Sequence, residues 1–158
     1  MRLQLTLLIA VAGCMPVQAE PCGLTEACTA EAEVVAPPER AVTGRTLAVC
    51  SMEPLTGFFR DGSCRTGPSD RGIHTVCAEV TDTFLDFTAS RGNDLRTPRT
   101  ASRFPGLEAG DRWCLCAARW EEARLAGAAP PVVLGATSVA SLRKTTRELL
   151  SAHAVSTP

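Results

Sequence analysis

The chain has 158 residues, of which 45% are hydrophobic and 21% are charged, and its formal net charge is −1. This composition indicates one globular domain of ordinary size and excludes a disordered chain. An aromatic content of 4% and the near-neutral charge also argue against a nucleic-acid-binding surface, so we expect no nucleic-acid partner. The unusual count is eight cysteines, and the cysteines are therefore the first candidates for functional residues.

Residues 1–19 are typical of a signal peptide. Arg2 gives a positive start, and the apolar run at 3–12 is too short to cross a bilayer as a helix. Two cleavage signals compete in this segment: a lipobox whose Cys14 would carry the lipid, and a signal-peptidase site after Ala19. Either one predicts export to the bacterial periplasm or cell envelope. Contact with a membrane is then expected only through an N-terminal lipid.

Residues 20–40 are typical of a flexible tether. They include Cys22, Cys28 and Pro37-Pro38 and have no sustained hydrophobic periodicity. In an oxidising compartment Cys22 and Cys28 are expected to close a small disulfide loop. We expect the globular domain to occupy residues 41–158.

Strand and helix signals alternate along this domain. Apolar runs rich in β-branched residues predict strands at 46–50, 74–80, 113–117 and 132–134. Helices are predicted from Thr81 to Gly92, at about 120–126, and after a Thr-x-x-Glu capping box at 145–148. The pattern predicts an α+β fold: one small domain in which a short mixed β-sheet packs with three to four helices.

Two connections, 51–73 and 93–112, carry little helix or strand character. Loops above ~12–15 residues are uncommon in compact domains unless they are functional or disordered. Phe58 and Phe59 in the first, with Phe104 and Leu107 in the second, predict that both loops are ordered and packed. We therefore expect the functional site in these loops.

A series of motifs resembles a known bacterial family. The motifs are Cys50-Ser51, 56–62 (TGFFRDG), 74–78 (HTVCA), 92–95 (GNDL), 104–107 (FPGL), 110–117 (GDRWCLCA) and 129–134 (APPVVL). In this order they are similar to the family known as domain of unknown function 2237, over residues 41–153. The resemblance implies kinship and no activity. Members of that family are mostly intracellular, whereas this chain has an export signal, the extra Cys22 and Cys28, and Ser138 where the family pattern has a histidine.

Five cysteines lie in the globular domain: Cys50, Cys64, Cys77, Cys114 and Cys116. On a strand Cys114 and Cys116 share a face ~6.6 Å apart, which makes them poor disulfide partners for each other. Three alternatives are open: disulfides to the other cysteines, a site for Zn²⁺ or Cu(I), or buried free thiols. An odd number leaves at least one thiol without a partner in the chain. Trp113 and Leu115 are expected to face the core on the opposite side.

His74 is the histidine nearest to these cysteines in the sequence. It precedes Cys77 by three residues, and a regular strand would place the two side chains on opposite faces. A structural and a catalytic role for His74 both remain open. His153, in the last helix, is expected to act as a favourable charge at the helix C-terminus.

Four arginines surround Asp94 in the second loop: Arg91, Arg96, Arg99 and Arg103. Together with Arg60 of the first loop, Arg96 and Arg99 are candidates for binding a small carboxylate or phosphate through bidentate hydrogen bonds. The alternative is a solvated arginine-rich surface. Three aspartates lie beside glycine or in Gly-Asn-Asp, where a role in turns is expected: Asp61, Asp94 and Asp111.

Two functions follow from these observations. The first is an exported binding or accessory protein with a cysteine-centred site and anion-binding loops. The alternative is a thiol-dependent enzyme that uses Cys77, Cys114 or Cys116 with His74 or an aspartate. The chain contains no Walker loop, no Gly-x-Ser-x-Gly and no His-Glu-x-x-His, and this favours the binding function.

Overall fold

The computed structural model describes residues 38–155. Its regular elements are β1 (His74–Glu79), α1 (Asp82–Ser90), β2 (Arg112–Cys116), α2 (Ala117–Leu125) and α3 (Arg147–Ala152). Three short 3-10 helices accompany them in the described region, at Thr100–Ser102, Leu134–Ala136 and Val139–Arg143. The α+β class is confirmed. The predictions for Cys14, Cys22 and Cys28 lie outside the described residues. No helix between residues 38 and 155 is long and apolar enough to cross a membrane.

β1 and β2 form a two-stranded antiparallel sheet with a core on each face. The register pairs Cys77 with Cys114 and Ala78 with Trp113. Trp113 and Leu115 belong to the main hydrophobic core, whereas Cys77 and Cys114 belong to a second, smaller core. The predicted division of β2 into a cysteine face and a core-facing side is confirmed.

A β-bulge at Thr75 redirects the first residue of β1. The register pairs His74 with Cys116 but pairs Val76 with the residue directly before Cys116, so Thr75 is the extra residue. In a regular strand His74 would share the face of Val76, because side chains alternate. Since paired residues share a face, the bulge places His74 with Cys116 on the face of Cys77. The prediction that His74 and Cys77 lie on opposite faces is wrong, because it assumed a regular strand.

The helices begin at polar caps or directly at a strand end. The Thr81 hydroxyl accepts a hydrogen bond from the Phe84 N–H at 3.2 Å and caps α1 as predicted. α2 begins at Ala117, three residues before the predicted start, because β2 runs into it without a loop.

The cap of α3 lies one residue beyond the prediction. Thr146 caps the helix by accepting from the Leu149 N–H at 3.3 Å. The Thr145 hydroxyl donates instead to Glu121 on α2 at 3.0 Å. Thr145 thus contributes a tertiary contact, and its neighbour is free to cap the helix.

Two predicted strands form only isolated bridges. Thr46 bridges Arg40 and Val49 bridges Ser63, so residues 46–50 do not extend a sheet. Val49 is 58% exposed, and the apolar run therefore has no continuous surface to pack against. Val132 bridges β1, but the chain turns into a 3-10 helix at Leu134. The predicted mixed sheet is reduced to its antiparallel pair.

Both long loops are ordered, as predicted, but only the second is anchored by its aromatic residue. Phe104 and Leu107 are buried in the main core. Phe58 and Phe59 are 37% and 40% exposed, so the expectation that they anchor the first loop is wrong. The first loop is instead held by cysteines.

A candidate thiol–imidazole site

Four of the five cysteines in the described domain form disulfides. Cys50 is bonded to Cys77 and Cys64 to Cys114. The free thiol among residues 38–155 is that of Cys116, which is partly exposed. This is the odd thiol that the cysteine count predicts.

The two disulfides pack together beneath the sheet. The sulfur atoms of Cys50, Cys64 and Cys77 lie within 4.8 Å of one another and are buried. Cysteines held in disulfides offer no thiolate to a metal ion. Of the three alternatives, four of the cysteines follow the disulfide one, and the Zn²⁺ or Cu(I) site expected at Cys50, Cys64, Cys77, Cys114 and Cys116 stays a prediction.

Two buried hydroxyls hold the cysteine face of the sheet. The Thr137 Oγ1 accepts from the Cys77 N–H at 3.1 Å, and the Thr56 Oγ1 accepts from the Cys114 N–H at 2.9 Å. These N–H groups point away from the strand pair, and in the described part of the chain no backbone carbonyl accepts from them. Threonines from neighbouring loops fix both strands in place.

A buried aspartate, not foreseen from the sequence, orients His74. The Asp70 side chain is wholly buried, and its Oδ1 lies 2.6 Å from His74 Nδ1. Its Oδ2 accepts from the His74 backbone N–H at 2.8 Å and from the Thr66 hydroxyl at 3.0 Å. Both carboxylate oxygens are thus hydrogen-bonded, and the imidazole ring is held in one orientation.

The protonation of Asp70 decides the role of each imidazole nitrogen. Burial raises the pKa of Asp70, but hydrogen bonds from His74 and Thr66 outweigh it, and the pKa is lowered overall. An ionised carboxylate only accepts hydrogen bonds, so His74 Nδ1 must be the donor. The nitrogen left for proton exchange is Nε2.

Cys116 lies directly beside this imidazole. A side-chain hydrogen bond with Cys116 is the main cause that raises the pKa of His74 from 6.5 to about 9, with further contributions from Asp70 and against the effect of burial. The imidazole is therefore mostly protonated at neutral pH. A thiol beside an imidazole is the pair of groups that covalent catalysis by cysteine uses.

The chain geometry also favours a nucleophile at Cys116. This residue ends β2 and is the N-cap of α2, and its thiol makes no capping hydrogen bond. Its side chain therefore lies at the end of the helix that carries a partial positive charge. The next N–H, that of Ala117, donates to the Ile73 carbonyl at 3.0 Å and ties the helix start to the turn before His74.

That turn is tightly packed and strained. A Cβ atom added at Gly72 would lie 2.9 Å from Cys116 Sγ and 2.5 Å from His74 Cε1. Ile73 has a φ of 52°, a left-handed conformation that is unusual for a β-branched residue. Such strain is found preferentially at functional sites. The Phe58 ring stacks on the imidazole with centroids 6.1 Å apart.

His74 also lines a pocket of about 240 Å³. Of the three arginines expected to bind an anion, the structure brings Arg60 and Arg99 into the wall of this pocket. Arg96 does not line it, because its guanidinium pairs with Asp82 at 2.8 Å and Asp86 at 2.9 Å on α1.

The three aspartates singled out in the sequence support turns. Asp61 accepts from the Ser63 N–H, Asp94 from the Arg96 and Thr97 N–H groups, and Asp111 from the Glu108 N–H. The aspartate that serves the candidate site is Asp70. Its signals in the sequence are its position four residues before His74 and the intervening Gly72.

Two further polar residues from the sequence analysis have structural contacts. Ser138 donates to Glu39 and caps a 3-10 helix by accepting from the Ala140 N–H. The His153 ring lies 2.9 Å, through Nδ1, from the Leu149 carbonyl at the end of α3.

Comparison with known families places this geometry in context. A family model described as "Uncharacterized protein conserved in bacteria (DUF2237)" matches residues 40–154. A search of curated proteins finds no match to the sequence.

Proposed function

The chain belongs to the DUF2237 family of bacterial proteins, whose description names no activity, and we therefore propose a function from the chemistry of the site. We propose that the protein is a thiol-dependent enzyme. Cys116 is the nucleophile, His74 exchanges the proton, and Asp70 orients the imidazole.

One observation carries this proposal: a free thiol lies beside an imidazole whose Nδ1 is held at 2.6 Å by a wholly buried carboxylate. A nucleophile, a base and a group that orients the base form the recurring arrangement of covalent catalysis. Of the three thiols considered from the sequence, Cys77 and Cys114 are in disulfides. Cys116 is the one that is free to react.

The proposed reaction is a group transfer in two steps. In the proposed free enzyme the proton of Cys116 Sγ lies on His74 Nε2, and the thiolate forms a bond to the acyl carbon of the substrate. The bond to the leaving group breaks with its electron pair, and the imidazolium returns the proton to that group. Water then attacks the acyl carbon while the neutral His74 Nε2 takes its proton, and the C–S bond breaks with its electron pair on Cys116 Sγ, which releases the acyl group as an acid.

The rate of alkylation at Cys116 tests this proposal. The full chain is treated with iodoacetamide at pH 7 without reductant, and peptide mapping by mass spectrometry follows Cys116 separately from Cys14, Cys22 and Cys28. An ordinary thiol is only a few per cent ionised at this pH, so we expect wild-type Cys116 to react about tenfold or more faster than free cysteine. His74→Gln should remove that advantage.

Three variants make the result specific. Cys116→Ser should abolish labelling of that peptide, and Asp70→Asn should lower the rate because the wrong tautomer of His74 is held. His153→Gln is the matched control, since His153 is the other of the two histidines, and its rate should equal that of wild type. A wild-type rate no faster than free cysteine, or an equal loss in His153→Gln, contradicts the proposal. The binding or accessory function would then take its place.

We also propose that the protein acts outside the cytoplasm. The signal-like N-terminus and the disulfides of the domain support this, because stable disulfides form in oxidising compartments. Mass spectrometry of the mature chain tests it. A chain that begins at an acylated Cys14 or at Glu20 agrees with the proposal, and an intact Met1 in the cytoplasm contradicts it.

A further inference from the structure

We propose that the pocket beside His74 binds the anionic group of the substrate, so that the protein acts on a small molecule bearing a carboxylate or a phosphate. This inference rests on the proposed function and names its substrate class. The supporting observation is that two arginines from different loops line the same pocket.

Arg60 and Arg99 are free to bind an anion. Within residues 38–155 neither has a carboxylate within ion-pair distance, in contrast to Arg65, Arg96 and Arg124. Both nonetheless have fixed positions. The Arg60 guanidinium lies 5.0 Å from the centre of the Trp113 ring, and Arg99 donates to the Asp94 carbonyl at 3.2 Å. A guanidinium held against an aromatic ring is oriented for bidentate hydrogen bonds.

The charges around the pocket favour an anion. One carboxylate, that of Asp94, borders it, and its Oδ1 already accepts from the Arg96 and Thr97 N–H groups. Hydrogen bonds from Thr97 and Arg96 lower the pKa of Asp94, so it counts as a full negative charge. The two guanidinium groups exceed it by one positive charge, since the His74 imidazolium is already paired with the Asp70 carboxylate.

The rest of the lining indicates the size and character of the substrate. Phe58, Phe104 and Trp113 form apolar walls, and the Phe104 and Trp113 rings pack edge to face with centroids 5.3 Å apart. The volume of about 240 Å³ is below the ~300–1,000 Å³ typical of drug-sized ligands. The pocket therefore suits a compact molecule with an apolar part and one anionic group.

Direct binding is tested with two simple probes, sodium succinate and sodium phosphate, at constant ionic strength set with chloride. Titration is followed by the indole N–H signals in a nuclear magnetic resonance spectrum. We expect a saturable shift of the Trp113 signal. The Trp120 signal should not move, because its indole is buried and donates to the Pro130 carbonyl at 3.1 Å. A response to succinate alone assigns a carboxylate, and a response to phosphate alone assigns a phosphate.

Charge variants show whether the arginines cause the binding. Arg60→Gln and Arg99→Gln should each weaken binding and raise the dissociation constant about tenfold or more, since each removes charge-assisted hydrogen bonds. Arg143→Gln removes one exposed positive charge outside the pocket and should leave binding unchanged. An absent or unsaturable shift, or an equal loss in Arg143→Gln, overturns the inference.

A pair of alkylating reagents separates this inference from the proposed function. Iodoacetamide is neutral and iodoacetate carries a carboxylate, while both react with a thiolate by the same displacement of iodide. We expect the ratio of the iodoacetate rate to the iodoacetamide rate at Cys116 to exceed the ratio for free cysteine, and to fall in Arg60→Gln and Arg99→Gln. If iodoacetamide labels Cys116 rapidly but the ratio equals that of free cysteine, the anion site is overturned while the proposal that Cys116 is the nucleophile is retained. Slow labelling by both reagents overturns the nucleophile.

Discussion

His74 connects three parts of the molecule through one side chain. Asp70 binds its Nδ1, Phe58 stacks on its ring, and Cys116 lies opposite it across the strand pair. A histidine that only filled space in the core would need none of these partners. Each of these partners either orients the ring or changes its pKa. The protonation of His74 is therefore a property that an experiment can follow through the pH dependence of stability.

The pH dependence of stability is the first prediction. The pKa of His74 is raised from 6.5 to about 9 in the folded protein, so the folded state binds the proton more tightly than the unfolded state. The stabilisation is fully present below pH 6.5 and is lost as the pH rises towards 9. Urea denaturation of wild type and His74→Gln at several pH values checks this. The difference in unfolding free energy should shrink from pH 6.5 to 9; a constant or growing difference contradicts it.

Gly72 provides a second prediction about a single residue. In Gly72→Ala the new Cβ would meet His74 Cε1 at 2.5 Å and Cys116 Sγ at 2.9 Å, so one of the two groups must move. Because small displacements of reacting groups are costly, we expect labelling of Cys116 to slow about tenfold.

Gly135→Ala is the matched control for Gly72→Ala. Nothing lies within 4 Å of a Cβ placed at Gly135, and its φ is not positive. The rate of labelling in Gly135→Ala should equal that of wild type. An unchanged rate in Gly72→Ala would show that the close packing at Gly72 is irrelevant to the thiol.

Among the elements, the strand pair needs support at both edges. A sheet of two strands is marginally stable alone. The outward N–H of Glu79 donates to the Pro131 carbonyl at 2.9 Å, but within residues 38–155 no backbone carbonyl accepts from the outward N–H groups of Cys77 and Cys114. Thr56 and Thr137 supply acceptors there, one for each strand. At these two positions the hydroxyls accept the hydrogen bonds that the carbonyls of a third strand would accept in a larger sheet.

Removing one of these hydroxyls should weaken the fold. Thr137→Val keeps the shape but leaves the buried Cys77 N–H without its partner, whereas the Val133 carbonyl still accepts from the Ala136 N–H at 3.0 Å. We expect a loss of about 1–3 kcal/mol in unfolding free energy, the cost of an unsatisfied buried polar group. Thermal or urea denaturation measures it. Thr137→Ser retains the hydroxyl and should lose clearly less; equal losses would assign the effect to packing rather than to the hydrogen bond.

The elements also show how far the sequence alone can predict this fold. β1, β2 and α1 were predictable because alternation and the Thr81 cap are local signals. The bulge at Thr75 was not, since it depends on pairing with a distant strand. The strand expected at 46–50 failed for a similar reason: its apolar pattern lacks a neighbour to complete a sheet.

The candidate site, like the fold, was predictable from the sequence only in part. The odd number of cysteines predicted a free thiol, and the spacing of Cys114 and Cys116 predicted their shared face. Which cysteine stays free depends on tertiary contacts. Asp70 escaped notice because its spacing from His74 and Gly72 is a weak signal, and its role arises only from burial against His74.

At the scale of the whole molecule, the two disulfides attach the first long loop to the sheet. Cys50 and Cys64 lie at either end of a loop segment, and their partners Cys77 and Cys114 lie opposite each other on β1 and β2. The segment between them contains Phe58 and Arg60. The disulfides therefore hold the wall of the pocket against the strand that carries His74.

Loss of either disulfide should reduce stability and disturb the pocket. The cross-links span 27 and 50 residues, and constraining loops of such length in the unfolded chain contributes roughly 3–4 kcal/mol each. We expect Cys50→Ser/Cys77→Ser and Cys64→Ser/Cys114→Ser to lower the unfolding free energy by about 2–4 kcal/mol, measured by urea denaturation. No change in either double variant would mean that the cross-links are not formed in solution.

Among the five cysteines of residues 38–155, these cross-links leave one free thiol. The reactivity of that thiol also reports which cysteines were oxidised in a given molecule. For every choice of odd cysteine among the five, four others can pair in three ways, and each isomer has the same mass and the same number of free thiols. Only the three isomers with Cys116 free place a thiol beside His74. A purified sample that is uniform by mass can therefore hold several populations, and the amplitude of its rapid alkylation phase counts the molecules in which Cys116 is the free cysteine.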